Sequence, residues 1–215
     1  MMGCYRGLMV AVRYPKPLRR GDRIEVPAPS MGVPDALHER LHAAVTALRD
    51  QGFDPHLRPH ATISGLTPAP ARERAADLQA AFIRAGAVLP PWGGKLAIEL
   101  IDDLDWDALA EADTWFVGWS DISTLLMPLT ILTGVATLHG ANLMDEPWEL
   151  PTQFRRWTEV AGLSHGDSFT QHAAPRRRSR PWVDWNDEPS TATPPTKPRP
   201  GGGPRTASRS ACVAG

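Results

Sequence analysis

Residues 114–140 read TWFVGWSDISTLLMPLTILTGVATLHG, and this stretch decides the fold. It holds an apolar run at 114–119, a longer apolar segment at 122–134 that closes on a glycine, and a second short apolar run at 135–140. Short, nearly all-apolar strands are typical of a parallel sheet that is covered on both faces. A helix between two such strands also indicates parallel pairing, because a parallel crossover needs a connection of that length. The stretch therefore predicts a strand, a buried helix and a second parallel strand.

The same alternation continues toward the amino terminus. Strands are predicted at 23–26, 53–61 and 87–90, and short helical pieces at 96–101 and 106–113. Two amphipathic helices lie between the strands, one carrying Leu37, Leu41, Val45 and Leu48 on one face and the other Ala75, Leu78 and Phe82. The pattern predicts an α/β fold, a Rossmann-like parallel sheet with helices on both faces.

Length and composition set the domain organisation. A chain of 215 residues with 42% apolar content can hold one domain of about 150 residues with flanks, or two small domains. Residues 1–13 are predicted to be an unpatterned extension, 14–150 the α/β domain and 151–172 a helix or linker. Residues 173–215 hold eight prolines and few large apolar side chains, so a disordered Pro/Arg-rich tail is expected there.

Charge and cysteine content narrow the function classes. The net charge of −1 combines an acidic body with a basic tail whose RRRSR run (176–180) is typical of a solvated segment, and no nucleic-acid partner is predicted. Cys4 and Cys212 are too few for a disulfide framework or a zinc site, so no metal or cofactor is predicted. No apolar run approaches the length of about 20 residues that a membrane helix needs. A cytoplasmic protein without a membrane partner is expected.

In an open parallel sheet, ligands bind beyond the carboxyl ends of the strands. Six residues at the ends of the predicted strands or in the loops that follow them are candidates for a site: Ser30, Gly93, Gly94, Ser120, Asp121 and His139.

Each candidate has two interpretations. Ser120 fits a nucleophile elbow, whereas the spacing by itself favours an ordinary helix cap. Gly93 and Gly94 fit an anion cradle, with the amides of the following helix start as donors, or a plain tight turn. Ser30 fits a turn hydroxyl as well as a substrate contact. His139 fits a hydrogen-bonded structural histidine as well as a base.

Three blocks of the chain resemble a known family. GDRIEVPAPSMGV (21–33), PPWGGKLAIELIDDLDWDAL (90–109) and FVGWSDISTLLMPLTILTGVATLHGANL (116–143) are similar to the amino-terminal domain of the LD-carboxypeptidase family of serine peptidases. That family includes muramoyltetrapeptide carboxypeptidases and microcin C immunity peptidases. The resemblance runs from about residue 14 to 144 and implies a Ser-His-Glu hydrolase with Glu and His on a following domain.

The resemblance assigns roles to individual residues. It implies that Ser120 is the nucleophile, and that Gly93 and Gly94 act with the Asp121 amide on the oxyanion. Ser30 and His139 are added as candidates for substrate binding. The family's His-Gly-Pro segment falls on 139–141, where alanine stands in place of proline.

The expected function is hydrolysis of muropeptides of peptidoglycan or of related small peptides, without a cofactor. After residue 189 neither Glu nor His can be assigned, so the chain is expected to be inactive by itself. The alternatives are a non-catalytic protein that binds a peptide carboxylate and a truncated gene product. No sequence feature sets the oligomeric state.

Overall fold

The computed structural model describes residues 12–65, 67–145 and 155–171, together with three short strands at 176–178, 196–198 and 209–212. Within this part of the chain, the alternation of strands and helices is the one predicted from the sequence. The three boundaries between the four segments drawn from the sequence remain predictions.

One parallel sheet forms the centre of the fold. All five predicted strands are confirmed: β1 Arg23–Val26, β2 Asp54–Leu57, β3 Ala87–Val88, β4 Trp115–Gly118 and β5 Leu138–His139. Their spatial order is β2-β1-β3-β4-β5, so the chain starts inside the sheet, adds one strand on one side and then grows on the other. All neighbouring pairs are parallel.

Helices connect the strands as the apolar periodicity predicts. The short helix predicted at 96–101 is a 3-10 helix, Ala97–Asp103. In the segment predicted to be a helix or linker, 151–172, the described residues include a short helix at Trp157–Ala161. The described residues form five α-helices: α1 His38–Asp50, α2 Ala71–Arg84, α3 Trp106–Glu111, α4 Ser123–Thr133 and α5 Trp157–Ala161.

Two apolar cores lie on opposite faces of the sheet. Consecutive strand residues point to opposite faces, so Ala87 and Leu89 enter one core while Val88 enters the other. Side chains of α1 and α5 fill the first core, and side chains of α2, α3 and α4 fill the second. The prediction of helices on both faces is confirmed.

Helix α4 differs from the expectation of a buried helix. Leu125 and Leu129 are buried against the sheet, but Met127 is 67% exposed and Ile131 is 60% exposed. The helix has no charged residue, which suggested burial on all sides. It covers one face of the sheet with nothing described outside it, so only its inner side is buried.

Beyond the α/β domain, four short strands pair in antiparallel fashion. β6 (Ser168–Gln171) pairs with β9 (Arg209–Cys212), and β7 (Arg176–Arg178) with β8 (Thr196–Pro198). The composition of the tail does not predict these pairs. The rest of the segment predicted to be disordered lies outside the described residues. In the described part of the chain, no helix is long and apolar enough to cross a membrane.

Candidate functional site

The carboxyl ends of the parallel strands meet at one edge of the sheet, and a cavity of about 430 Å³ opens there. This volume lies within the usual range for small-molecule sites. Loops that follow β1, β3, β4 and β5 all contribute to its wall. The cavity is lined by Met31, Pro34, Leu37, Trp92, Gly93, Gly94, Trp119, Ser120, Asn142 and Asp145.

Ser120 is the second residue after β4, which ends at Gly118. Its φ is +60°, and it is the only non-glycine residue with positive φ in the described part of the chain. A serine held in this left-handed conformation between a strand and a helix has the geometry of a nucleophile elbow. The residue is exposed, and the 3-10 turn Ser120–Ile122 shows no side-chain cap. The geometry therefore presents the hydroxyl to the cavity rather than to the helix behind it.

The two glycines lie against this serine turn. A Cβ on Gly93 would come within 3.0 Å of the Ser120 Oγ and 3.1 Å of the Asp121 amide nitrogen. Gly94 has a φ of +153°, and a Cβ there would lie 2.2 Å from the Ser30 Oγ. Only glycine leaves this space open, and the space adjoins both a hydroxyl and a backbone N–H. The loop and the serine turn are neighbours, as the resemblance implies.

The start of the following 3-10 helix is already capped from within the protein. The Ala97 amide donates to the Asp121 carboxylate at 2.9 Å, and the Leu96 amide donates to the Ser30 hydroxyl at 3.3 Å. The Ser30 hydroxyl in turn donates to Asp121 at 2.6 Å. These two helix-start amides cannot also bind a substrate carboxylate, which corrects the expected cradle. An anion can find donors only nearer the two glycines and the Asp121 amide.

Ser30 lies behind the glycine loop rather than in the cavity. It is completely buried, and its hydroxyl joins the Asp121 carboxylate to the loop. His139 is exposed at the end of β5 and is not among the residues that line the cavity. Of the six candidates, the structure therefore brings Ser120, Gly93 and Gly94 to the cavity wall, with Asp121 directly behind them.

A buried arginine that sequence reasoning missed supports the loops from behind. Arg74 of α2 is 1% exposed and donates to the carbonyl oxygens of Pro29 and Leu96, at 2.6 and 3.1 Å. It also pairs with the Glu99 carboxylate. Arg74 thus fixes the loop after β1 and the start of the 3-10 helix to each other. No local signal separates such an arginine from a solvated residue of an amphipathic helix.

Four polar or aromatic residues of the wall were also missed, Trp92, Trp119, Asn142 and Asp145. The Trp119 indole Nε1 donates to the Asp145 carboxylate at 2.9 Å, and the Trp119 amide donates to the Asn142 side-chain oxygen at 3.2 Å. Trp119 and Asn142 stand within a few residues of strand ends, so the rule that selected Ser120 could have found them.

The charge behind this part of the wall comes from a second buried arginine. Arg40 is 2% exposed and donates from two nitrogens to the Met144 carbonyl oxygen, at 2.9 and 3.1 Å. Burial lowers the pKa of Arg40, and the nearby Asp145 carboxylate opposes that shift. The described residues contain no group of three or more His, Cys, Asp or Glu side chains that could hold a metal ion.

Fold and site together define a class: a parallel α/β domain that carries a left-handed serine beside a glycine pair at the carboxyl edge of its sheet. Residues 24–140 match the model of the LD-carboxypeptidase N-terminal domain, which is more than half of the chain. The chain belongs to the LD-carboxypeptidase family.

Individual relatives agree with this assignment. The protein SCO6489 of Streptomyces coelicolor, whose name proposes a carboxypeptidase, is 40% identical over 134 residues, which are 59% of this chain and 42% of that protein. The solved structure of MccF with glutamyl sulfamoyl guanosine has a TM-score of 0.74 at 19% identity and covers 86% of this chain and 57% of its own. A muramoyltetrapeptide carboxypeptidase of Oxalobacter formigenes has a TM-score of 0.54 at 21% identity, over 73% and 53%.

Because their sequence identities to this chain are only 19% and 21%, the two solved structures show a shared fold and nothing more. The chain spans about half the length of the relatives that it matches.

Proposed function

We propose that this chain is the nucleophile-bearing part of a serine carboxypeptidase that acts on the carboxyl end of a muropeptide or a related small peptide. The observation that carries the proposal is the left-handed Ser120 at the carboxyl edge of the sheet, with the open face of Gly93 against its hydroxyl. Family membership supports the reaction class.

In this proposal the Ser120 Oγ attacks the carbonyl carbon of the last peptide bond, the C–N bond breaks, and the carboxyl-terminal residue leaves as an amine that takes the serine proton from a base. Water then hydrolyses the acyl-enzyme and frees the serine. The negative charge that develops on the carbonyl oxygen is stabilised by backbone N–H groups of the glycine loop and of Asp121. The Asp121 carboxylate accepts hydrogen bonds from the Ser30 hydroxyl and the Ala97 amide, and these bonds fix the serine turn relative to the glycine loop.

The serine needs a base to accept its proton. In the described part of the chain, no histidine lines the cavity. The resemblance implies that His and Glu belong to a following domain. Loss of such a base costs on the order of 10⁴ to 10⁶ in turnover. We therefore expect the chain by itself to bind the carboxyl end of a peptide without cleaving it.

The proposal is tested with one peptide ending in D-Ala, prepared as the free acid and as the amide. The free acid should shift the NMR signals of the Lys95 and Asp121 amides, and the peptide amide should not. Release of D-Ala from a muropeptide tetrapeptide should stay at background. Equal shifts from both peptides, or none, would contradict a site for the carboxyl end. Release that disappears in Ser120→Ala would overturn the expected inactivity while supporting the peptidase.

A non-catalytic carboxylate-binding protein is the second candidate, and the lack of a histidine in the described cavity wall favours it. A chimera discriminates between the two: residues 12–145 replace the matching part of SCO6489, and unmodified SCO6489 serves as the control. Peptidase activity of the chimera that Ser120→Ala abolishes supports the enzyme. A folded chimera that binds the free acid without cleaving it supports the binding protein. The cytoplasmic location remains a prediction.

A further inference from the structure

One part of the cavity wall is formed by apolar side chains, which have no role in the attack of Ser120 on a peptide bond. Trp92 and Trp119 lie on it together with Met31, Pro34 and Leu37. Ser120 directly follows Trp119 in the chain, so a ligand group packed on that indole lies next to the attacking hydroxyl. Aromatic walls of this kind bind aliphatic or flat groups and fix their orientation.

The indole of Trp119 is held in place by a short polar chain. Asp145 accepts one hydrogen bond from the Trp119 Nε1 at 2.9 Å and another from the Asn142 amide at 3.1 Å. The Asn142 side chain accepts from the Trp119 amide at 3.2 Å. Ring and backbone of Trp119 are therefore both tied to the same turn after β5.

That turn is itself anchored. The Leu143 and Met144 amides donate to the carbonyl oxygens of Pro90 and Pro91, at 3.1 and 2.9 Å. Arg40, which is buried, holds the Met144 carbonyl oxygen. The carboxylate of Asp145 thus has a fixed position, and a hydrogen bond to a fixed acceptor restricts the indole plane.

We propose that Trp119 is a specificity-determining residue whose indole forms a subsite for an aliphatic side chain next to the scissile carbonyl, and that Asp145 is the residue that positions this indole. The inference rests on the proposed function, because the bound side chain belongs to the substrate residue whose carbonyl carbon Ser120 attacks. That side chain is attached one bond from the carbonyl carbon, which places it beside Ser120 and its neighbour in the chain.

The test compares three ligands on the full 215-residue chain. They are N-acetylnorleucyl-D-alanine, N-acetylglycyl-D-alanine, and N-acetylnorleucine amide, which lacks the carboxylate. Each is titrated while the Trp119 indole N–H signal is followed by NMR. The norleucyl peptide should bind roughly fivefold tighter than the glycyl peptide, the gain from partly burying a four-carbon chain.

Asp145→Leu removes the acceptor and should reduce this preference below about twofold, with the affinity for the glycyl peptide changed little. Asp145→Asn keeps an oxygen acceptor and should restore most of the preference. Since Asp145→Leu also leaves Arg40 without a nearby carboxylate, Trp119→Phe is the second variant: it keeps a ring, loses the N–H donor and should lose the preference. Trp106→Phe, outside the cavity, is the matched control.

Each outcome decides the proposal. Equal loss of affinity for both peptides in the Asp145 and Trp119 variants would show a purely structural role and overturn it. Equal binding of both peptides to the unaltered chain would also overturn it, while carboxyl-end binding stands. If N-acetylnorleucine amide shifts the Trp119 indole signal and the D-alanine carboxylate adds no affinity, the subsite is supported and the proposed function fails.

Discussion

The hydroxyl of Ser30 donates a 2.6 Å hydrogen bond to the carboxylate of Asp121, across 91 residues of sequence. The bond joins the loop after β1 to the serine turn after β4. Because Asp121 also accepts from the Ala97 amide, the same carboxylate fixes the helix start behind the glycine loop. These hydrogen bonds fix the loop after β1, the glycine loop and the serine turn relative to one another around the cavity.

Replacing Ser30 with alanine should reveal the strength of this junction. Asp121 loses a donor and the Leu96 amide loses its acceptor, at a site where Ser30 is fully buried. We expect a loss of about 1 to 2 kcal/mol in the free energy of unfolding, measured by chemical denaturation. Ser123→Ala is the control, because α4 begins at Ser123 without a side-chain cap. Equal effects of the two substitutions would contradict the junction.

The close approach at Gly94 makes a second prediction. A Cβ there would lie 2.2 Å from the Ser30 Oγ, so Gly94→Ala combines an unfavourable φ with a steric clash. Gly65 also has positive φ, +118°, but among the described residues no atom beyond its chain neighbours lies within 4 Å of the Cβ position. The difference between Gly94→Ala and Gly65→Ala isolates the clash, and we expect it to be about 1 to 3 kcal/mol in unfolding free energy. A difference near zero would mean that the loop moves away from Ser30 at little cost.

A third prediction concerns an ion-pair network outside the cavity. Arg58 pairs with Asp77 at 2.6 Å and with Glu25 at 3.4 Å, and both carboxylates are buried. Burial by itself lowers the pKa of Arg58, but hydrogen bonding and attraction to Asp77 and Glu25 outweigh it and leave that pKa raised. Removing the cation takes the nearest partner from two buried carboxylates, which in the described part of the chain keep only the longer contacts with Arg23 at 3.7 Å and His60 at 3.6 Å. Arg58→Met should therefore cost about 2 to 3 kcal/mol, less than for a completely buried pair.

The exposed ion pair between Arg72 and Asp103 at 3.4 Å supplies the control. Arg72 is 89% exposed, so Arg72→Met should change the unfolding free energy by less than about 0.5 kcal/mol. Both variants are compared in the same denaturation experiment. Similar small losses would show that solvent reaches the Arg58 network in solution.

A fourth prediction is a dependence on pH at α5. Partial burial by itself raises the pKa of Glu159, but the hydrogen bond from the Arg156 amide and the ion pair with Arg155 outweigh it and hold that pKa below its usual value. A carboxyl whose pKa is lower in the folded state stabilises the fold above its unfolded pKa. That contribution is lost as the pH falls below the pKa of an unfolded glutamate and through the lower pKa of the folded state.

Unfolding free energies measured from pH 7 to pH 3 check this prediction. Glu159→Gln should be less stable than the unaltered chain at pH 7, and the two should converge at the acid end. Since the Glu159 side chain is 45% exposed, the difference should be small and should shrink further in salt. A constant difference across the whole range would show that charge on Glu159 is not the cause.

Much of the architecture follows from the sequence by itself. Short apolar runs separated by helices predict the five parallel strands, because only a sheet covered on both faces buries both sides of such strands. The position of Ser120 after an apolar strand and the resemblance around it predict its place at the edge where ligands bind. Periodicity also predicts the inner face of α1, where Leu41, Val45 and Leu48 are buried.

Only the tertiary structure decides which groups meet at that edge. The pattern of apolar residues determines which side of an element faces the core, but it holds no information on contacts between loops that are far apart in sequence. Ser30 therefore supports Asp121 instead of lining the cavity, His139 is not part of the cavity wall, and Asp145 meets the Trp119 indole 26 residues away. The sequence determines the strands and the serine turn, whereas packing of the loops determines the shape and chemistry of the cavity.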